Sequence, residues 1–168
     1  DLNKVFLPNS GAEANEGAIK LAYKYHEGKK KYLLHSDISF HGKLLGTGSI
    51  SSSQEADFEF PGLTNIDKFE YNNIISLEDK VKKYKDNIYG IIIEPYSASS
   101  LRSSSKEFLF KLRKICDDNN IVLIFDEVFT GWAKTGELFY FLHHENLIPD
   151  ILTFSKSFGG GKASISGY

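Results

Sequence analysis

An acid and an amine stand where two short apolar runs of this sequence stop. Ile121-Val122-Leu123-Ile124-Phe125 ends at Asp126, and Ile151-Leu152-Thr153-Phe154 ends at Ser155-Lys156. A third run, Ile88 to Ile93, ends at Glu94-Pro95. Runs this short, rich in β-branched and aromatic residues, read as strands buried on both faces. If they lie parallel in one sheet, Glu94, Asp126 and Lys156 emerge at its carboxyl edge, where open α/β sheets bind ligands. A lysine delivered there, among apolar walls and other cations, has a depressed pKa and forms Schiff bases with carbonyls. On position alone Lys156 reads equally as a surface lysine in a loop. Asp126-Glu127 after a strand also suits a metal site of the nucleotide-binding kind. The glycine-rich loops G-x-x-x-x-G-K-[ST] and G-x-G-x-x-G that would accompany it are absent.

The elements that must position these groups alternate along the chain. Ala14, Ala18, Leu21, Ala22 and Tyr25 recur at helical spacing, with Glu13 and Glu16 in the first turn and Gly28 just past the end. Ser10-Gly11-Ala12 therefore enters a helix N-terminus, where free N–H groups and the dipole favour a phosphate. An ordinary Ser N-cap is the competing account of Ser10. A strand is expected over Lys31 to His35, followed by the polar loop Ser39-Phe40-His41-Gly42-Lys43. Residues 49 to 73 read as a long irregular segment, pinned by Phe58 and Phe60; loops of that length are commonly functional. Ser76-Leu77-Glu78-Asp79 and Ser104-Ser105-Lys106-Glu107 read as capping boxes opening two further helices. The second helix is expected to bury Phe108, Leu109, Leu112, Ile115 and Cys116. Strands alternating with amphipathic helices predict an α/β fold, a mostly parallel sheet with helices on both faces. Val5-Phe6-Leu7 reads as a further short, strand-like segment.

Composition narrows the function classes. The 168 residues fit one domain. Twenty basic side chains against 22 acidic ones leave the chain nearly neutral. That gives no reason to expect nucleic acid or an acidic membrane surface as a partner. No apolar stretch approaches the ~20 residues that cross a bilayer. Cys116 is the single cysteine, so no intramolecular disulfide can form, which fits a cytoplasmic location. His143-His144-Glu145 has a metal-like look, but adjacent histidines on a helix point different ways. Lys29-Lys30-Lys31 and Lys82-Lys83 read as solvated charge.

Asn9-Ser10-Gly11-Ala12-Glu13-Ala14-Asn15, Phe40-His41-Gly42, Glu94-Pro95, Asp126-Glu127-Val128 with Thr130-Gly131 and Thr135-Gly136, and Pro149-Asp150-Ile151 with Lys156 and Gly159-Gly160-Gly161 form an ordered set of blocks. In order and spacing they resemble the class III (omega-type) aminotransferases, which use pyridoxal 5′-phosphate. The resemblance covers essentially the whole chain. It implies the large domain of the fold type I transferases, of which residues 1–168 would be the central part. Both ends, at Asp1 and after Ser166-Gly167-Tyr168, then look truncated, and the family's small domain is absent.

The resemblance also implies roles. Lys156 is similar to the lysine that forms the Schiff base with the cofactor and later shuttles the proton. Asp126 resembles the carboxylate paired with the pyridine nitrogen, keeping it protonated so that the ring accepts electrons. Ser10, Gly11 and Ala12 look like the phosphate cradle. Phe40 resembles the aromatic on one face of the ring and Val128 the residue on the other. His41 belongs to the same cofactor-binding set, and Glu94 resembles a supporting strand-end acid. The implied reaction is a ping-pong transamination between an amino donor and a carbonyl acceptor, by a homodimer. Departures from the family pattern fall at Phe129, where a Gln is usual, at Lys134, where an Arg is usual, over Tyr96 to Arg102, and over Lys162 to Ser166. They bear on substrate choice, and Arg102 reads as a solvated side chain before it reads as a carboxylate ligand. An aminomutase of the glutamate-semialdehyde type, a racemase or a decarboxylase of the same fold shares these motifs, and product analysis separates them. A non-catalytic binding protein would keep the fold without needing both Lys156 and Asp126. An inactive fragment is the third alternative, because the family takes a further phosphate contact from the neighbouring subunit.

Overall fold

A computed structural model describes residues 2–52 and 61–168. Among them a five-stranded, all-parallel sheet runs in the order β2-β1-β3-β6-β7, with β1 at Tyr32–Ser36, β2 at Ile66–Phe69, β3 at Ile88–Ile93, β6 at Val122–Asp126 and β7 at Ile151–Thr153. A small antiparallel ribbon, β4 (Tyr96–Ser97) with β5 (Arg102–Ser103), stands off its edge. The helices are α1 (Gly11–Tyr25), a short α2 (Leu45–Ser49), α3 (Ile74–Tyr84) and α4 (Lys106–Asp118). The α/β reading of the alternating pattern is correct.

Side chains of a strand alternate between faces, and here both faces are covered. Leu33, Ile92, Val122 and Ile124 pack under Ala18, Ile19 and Ala22 of α1. Leu34, Ile91, Ile93, Leu123 and Phe125 face the other way, against Leu77 of α3 and Phe108, Leu109 and Leu112 of α4. Burying such a side chain stabilises by about 1.5–3 kcal/mol. Because β3 and β6 are buried on both faces, their sequences lose the apolar–polar alternation and become continuous apolar runs.

Several expectations move. The segment 49 to 73 contains α2's last residue and the strand β2; its Ile-Asp-Lys-Phe is an edge strand, half polar, and carries no buried run to signal it. Phe58 and Phe60 lie outside the described residues. α3 opens at Asn73, whose side chain accepts from the N–H groups of Ile75 and Ser76, and Ser76 Oγ accepts instead from Glu70 N–H. α4 is capped by Ser105, which accepts from Phe108 N–H, one residue later than expected. On α1 the buried stripe is Ala14, Asn15, Ala18, Ile19 and Ala22, while Leu21 and Tyr25 are exposed. Gly28 does follow the helix with φ +69°, a conformation that suits glycine. Val5 to Leu7 is exposed and forms no strand; Phe6 exchanges backbone hydrogen bonds with Tyr168.

The strand order places a switch point. From β1 the chain crosses outward to β2, then returns to β1's other side as β3 and continues outward to β6 and β7. Ligands of open α/β sheets sit outside the carboxyl ends at such a point. Phe40 and His41 follow the end of β1, Glu94 follows β3, Asp126 ends β6, and Ser155-Lys156 follows β7.

Candidate active site

Asp126 is the most constrained group of the crevice. It is 4% exposed. Its Oδ2 accepts from Asn15 Nδ2 at 2.7 Å and faces His41 Nδ1 at 2.7 Å. Its Oδ1 accepts from Val128 N–H at 3.0 Å, with Thr153 Oγ1 at 3.5 Å. A buried carboxylate needs such donors, since an unpaired charge in the interior is costly. The register decides part of this: Asp126 lies opposite Thr153 on β7. Thr153 Oγ1 also donates to Asn15 Oδ1 at 2.6 Å, and Asn15 Nδ2 reaches His41 O at 2.9 Å. Asn15, His41, Thr153 and Asp126 thus form one hydrogen-bonded unit drawn from α1, the loop after β1, β7 and β6. Asn15 and Thr153 were not singled out from the sequence. The available signal was a polar Asn next to Ala14 on the buried stripe of α1.

Lys156 begins the 3₁₀ turn Lys156–Gly159 and has φ +45°, a left-handed conformation of order 1–3 kcal/mol for a residue with a side chain. Its ammonium position lies 5.0 Å from the centre of the Phe129 ring. The lysine opens onto the crevice, yet its surroundings hold its pKa below the ordinary value. Loss of hydration is the main cause and Lys134 adds to it, while Asp126 and Glu94 oppose.

Glu94 is buried and reaches back into the protein. Its two oxygens accept from Phe40 N–H at 2.8 Å and Ala98 N–H at 3.0 Å. It therefore fixes the loop that presents Phe40. Burial, with repulsion from Asp126, raises its pKa. Glu127 points away from the crevice. It accepts from Thr130 Oγ1 and Phe141 N–H, both at 2.9 Å, and from Tyr140 N–H, so it caps the turn Tyr140–His143. Among the described residues no group of three or more His, Cys, Asp or Glu could hold a metal ion. Arg102 is exposed on β5.

At the start of α1, Ser10 is a helix cap. Its Oγ accepts from Glu13 N–H at 3.3 Å, and Glu13 Oε2 reaches back to Asn9 N–H at 3.0 Å. The N–H groups of Gly11 and Ala12 find no acceptor among the described residues. A Cβ on Gly11 would lie 2.8 Å from Val128 Cγ1, so glycine permits the contact between this turn and the loop after β6.

These residues enclose a cavity of about 320 Å³, at the lower end of ordinary ligand pockets. Gly11, Ala12, Phe40, His41, Glu94, Asp126, Val128 and Lys156 all line it, with Asn15, Phe129 and Ser155. Ser10 is the one expected cofactor residue that does not.

Parallel strands, a helix N-terminus, a buried acid and a lysine of lowered pKa meet around one cavity, a set suited to an anionic carbonyl ligand. The family model "Aminotransferase class-III" matches residues 1–168, and the chain belongs to this family. It is 37% identical to the acetylornithine aminotransferase of Caldanaerobacter subterraneus subsp. tengcongensis, over 94% of this chain and 41% of that protein. It is 38% identical to the succinylornithine transaminase of Yersinia pseudotuberculosis, over 94% of this chain and 40% of that protein. The chain therefore spans about two fifths of the length of these relatives. Among solved structures it resembles a transaminase from the marine bacterium Virgibacillus (TM-score 0.92, 26% identity, 99% of this chain and 40% of that one). It also resembles the ornithine aminotransferase of Toxoplasma gondii, in which pyridoxal phosphate partly occupies the active site (TM-score 0.87, 29% identity, 98% and 40%).

Class III aminotransferases depend on pyridoxal phosphate, and the residues present fit that group. The open N–H pair at Gly11 and Ala12 suits a phosphate, and the shape left by Gly11 keeps the turn close. Among the described residues His41 Nε2 is buried with no hydrogen-bond partner, on the ring whose other nitrogen serves Asp126. Phe40 and Val128 supply apolar walls.

Proposed function

We propose that this chain forms the cofactor-binding part of a pyridoxal-phosphate-dependent aminotransferase that works by ping-pong transfer of an amino group. The observation that carries the reading is the placement of Lys156 and Asp126 around one cavity, with Asp126 locked by Asn15 and His41. Gly11 and Ala12 would hold the phosphate through their N–H groups, with Ser10 capping the helix behind them. Phe40 and Val128 would wall the ring, and Glu94 would hold the Phe40 loop. When bound, pyridoxal phosphate supplies a carbonyl for covalent attachment of amines and a ring that takes up electrons from the substrate carbon.

The protein's own groups do the rest. Lys156, whose pKa loss of hydration lowers, would attack a carbonyl through Nζ and then carry a proton there. Asp126 presents a fixed carboxylate that would keep a proton on the cofactor's ring nitrogen. Its own hydrogen bonds stop it from turning away.

The substrates are an amine or amino acid as donor and a keto acid or aldehyde as acceptor. The relatives' names make acylated ornithine the first donor to test. The reading includes a cytoplasmic homodimer. The buried free thiol of Cys116 is consistent with that compartment. The exposed Phe6, Leu7, Leu21 and Tyr25 offer apolar surface for association. No helix among the described residues is long and apolar enough to cross a membrane.

The test is to purify the protein with pyridoxal phosphate, record its visible absorption, reduce with borohydride and map the modified peptide by mass. A pyridoxyl group on Lys156, followed by conversion of an amino donor to its carbonyl product, supports the reading. A colourless protein, or a label on another lysine, overturns it.

A further inference from the structure

Two lysines lie over the Phe129 ring. Lys156 Nζ lies 5.0 Å from the ring centre and Lys134 Nζ lies 4.8 Å from it. The two ammonium positions are therefore within about 10 Å of each other, roughly one Debye length at 0.1 M salt. Lys134 makes no hydrogen bond or ion pair among the described residues, so its charge is uncompensated. An aromatic ring attracts each cation to its face but brings no counter-charge.

The two lysines are also tied mechanically. Lys134 follows Trp132 and Ala133, both left-handed at φ +66° and +63°, whose N–H groups donate to Leu138 O. The Trp132 ring stacks on Phe158 at 4.7 Å and 8°, and Phe158 belongs to the same 3₁₀ turn as Lys156. The loop of Lys134 and the turn of Lys156 are thus clamped together by one aromatic stack.

We propose that Lys134 is a positioning residue, held over Phe129 so that its charge favours the nucleophilic form of Lys156. The inference rests on the reading of Lys156 as the reactive amine. Facing Lys156 are Asp126 from β6 and Glu94 from β3, which favour its ammonium, and Lys134, which disfavours it. Across the cavity stand His41 and Lys43 from the loop after β1. Lys134 is the one of these that lies outside the buried hydrogen-bonded unit and still acts on Lys156 with the sign nucleophilicity requires. Its exposed position makes it replaceable without disturbing the core.

The measurement is competitive acetylation of the cofactor-free protein across pH, with each lysine read by mass. Wild type is compared with Lys134→Gln and Lys134→Arg. Removing the charge raises the pH midpoint of Lys156, so at a fixed pH below that midpoint K134Q labels Lys156 about three- to tenfold more slowly, as expected for two charges at this distance. K134R leaves the midpoint in place. High salt screens Asp126 and Glu94 as well as Lys134, so the signature of the Lys134 charge is that the difference in midpoint between wild type and K134Q shrinks as salt is raised. Equal midpoints in all three proteins, or a difference between wild type and K134Q that high salt leaves unchanged, overturn the proposal. Borohydride fixation of pyridoxal phosphate is run in parallel. If the midpoint moves but no cofactor is fixed on Lys156, the charge coupling stands and the transaminase reading fails.

Discussion

His41 Nδ1 lies 2.7 Å from Asp126 Oδ2, and both side chains are buried from solvent. An ionised carboxylate only accepts, so Nδ1 carries the shared proton, and among the described residues the other ring nitrogen is left without a partner. With Asn15 on the same oxygen, this contact sets the plane of the Asp126 carboxylate. Hydrogen bonds to a charged group contribute about 1.5–3 kcal/mol each. His41→Ala and Asn15→Ala should each weaken pyridoxal phosphate binding about tenfold or more, read by absorbance titration. Wild-type affinity in both variants would show that Asp126 needs neither contact.

Lys156→Gly should abolish borohydride fixation of the cofactor. Its unfolding free energy should stay within about 1 kcal/mol of wild type, because glycine accepts φ +45° without the penalty of a side chain. Denaturant titration reads the second quantity. A loss of several kcal/mol would mean that the Lys156 side chain supports the fold.

Gly11→Ala puts a Cβ 2.8 Å from Val128 Cγ1. The turn must then shift away from the loop after β6. We expect a loss of about 1–3 kcal/mol in stability, as for an overpacked site, and weaker cofactor binding. Val128→Ala in the same chain should restore much of both. Absence of rescue in the double variant would place the fault elsewhere.

Asp67 on β2 accepts from Lys80 at 2.7 Å, Lys83 at 3.0 Å and Tyr84 at 2.6 Å. Burial alone would raise its pKa, but these partners outweigh it and hold the carboxylate well below its ordinary range. The folded state thus favours the ionised form. The stabilisation is full above the ordinary value of 3.8 and fades as pH falls below it. Asp67→Asn should cost about 1–2 kcal/mol near neutral pH, discounted for partial solvent screening. Against wild type, that difference should close as the pH drops below about 4. Urea unfolding at several pH values tests this; a pH-independent difference would rule out the charge as its source.

The strands β3 and β6 were legible because burial on both faces leaves an uninterrupted apolar run, and Gly28 marked the end of α1 because only a left-handed residue closes it there. β2 was hidden because an edge strand half exposed to water needs no such run. The caps at Asn73 and Ser105 each missed the expected box because neighbouring residues offered equally good side-chain acceptors. Lys83 is the solvated charge it reads as, and it also pairs with Asp67, sixteen residues away in sequence, a contact that only the packing of α3 beside β2 reveals.

By itself the sequence determined the α/β class, the strand ends that carry Glu94, Asp126 and Lys156, and the helix that begins at Gly11. Those properties follow from local periodicity and residue type. Only the tertiary structure decided which of these groups face the cavity and which serve the scaffold. It turned Glu127 and Glu94 toward backbone N–H groups, made Ser10 a cap, and recruited Asn15 and Thr153 to hold Asp126. Residues 111 and 27 positions from Asp126 in the chain meet it only when α1 packs across the sheet and β7 takes its register beside β6. A buried carboxylate then demands donors, and packing, not sequence proximity, supplies them.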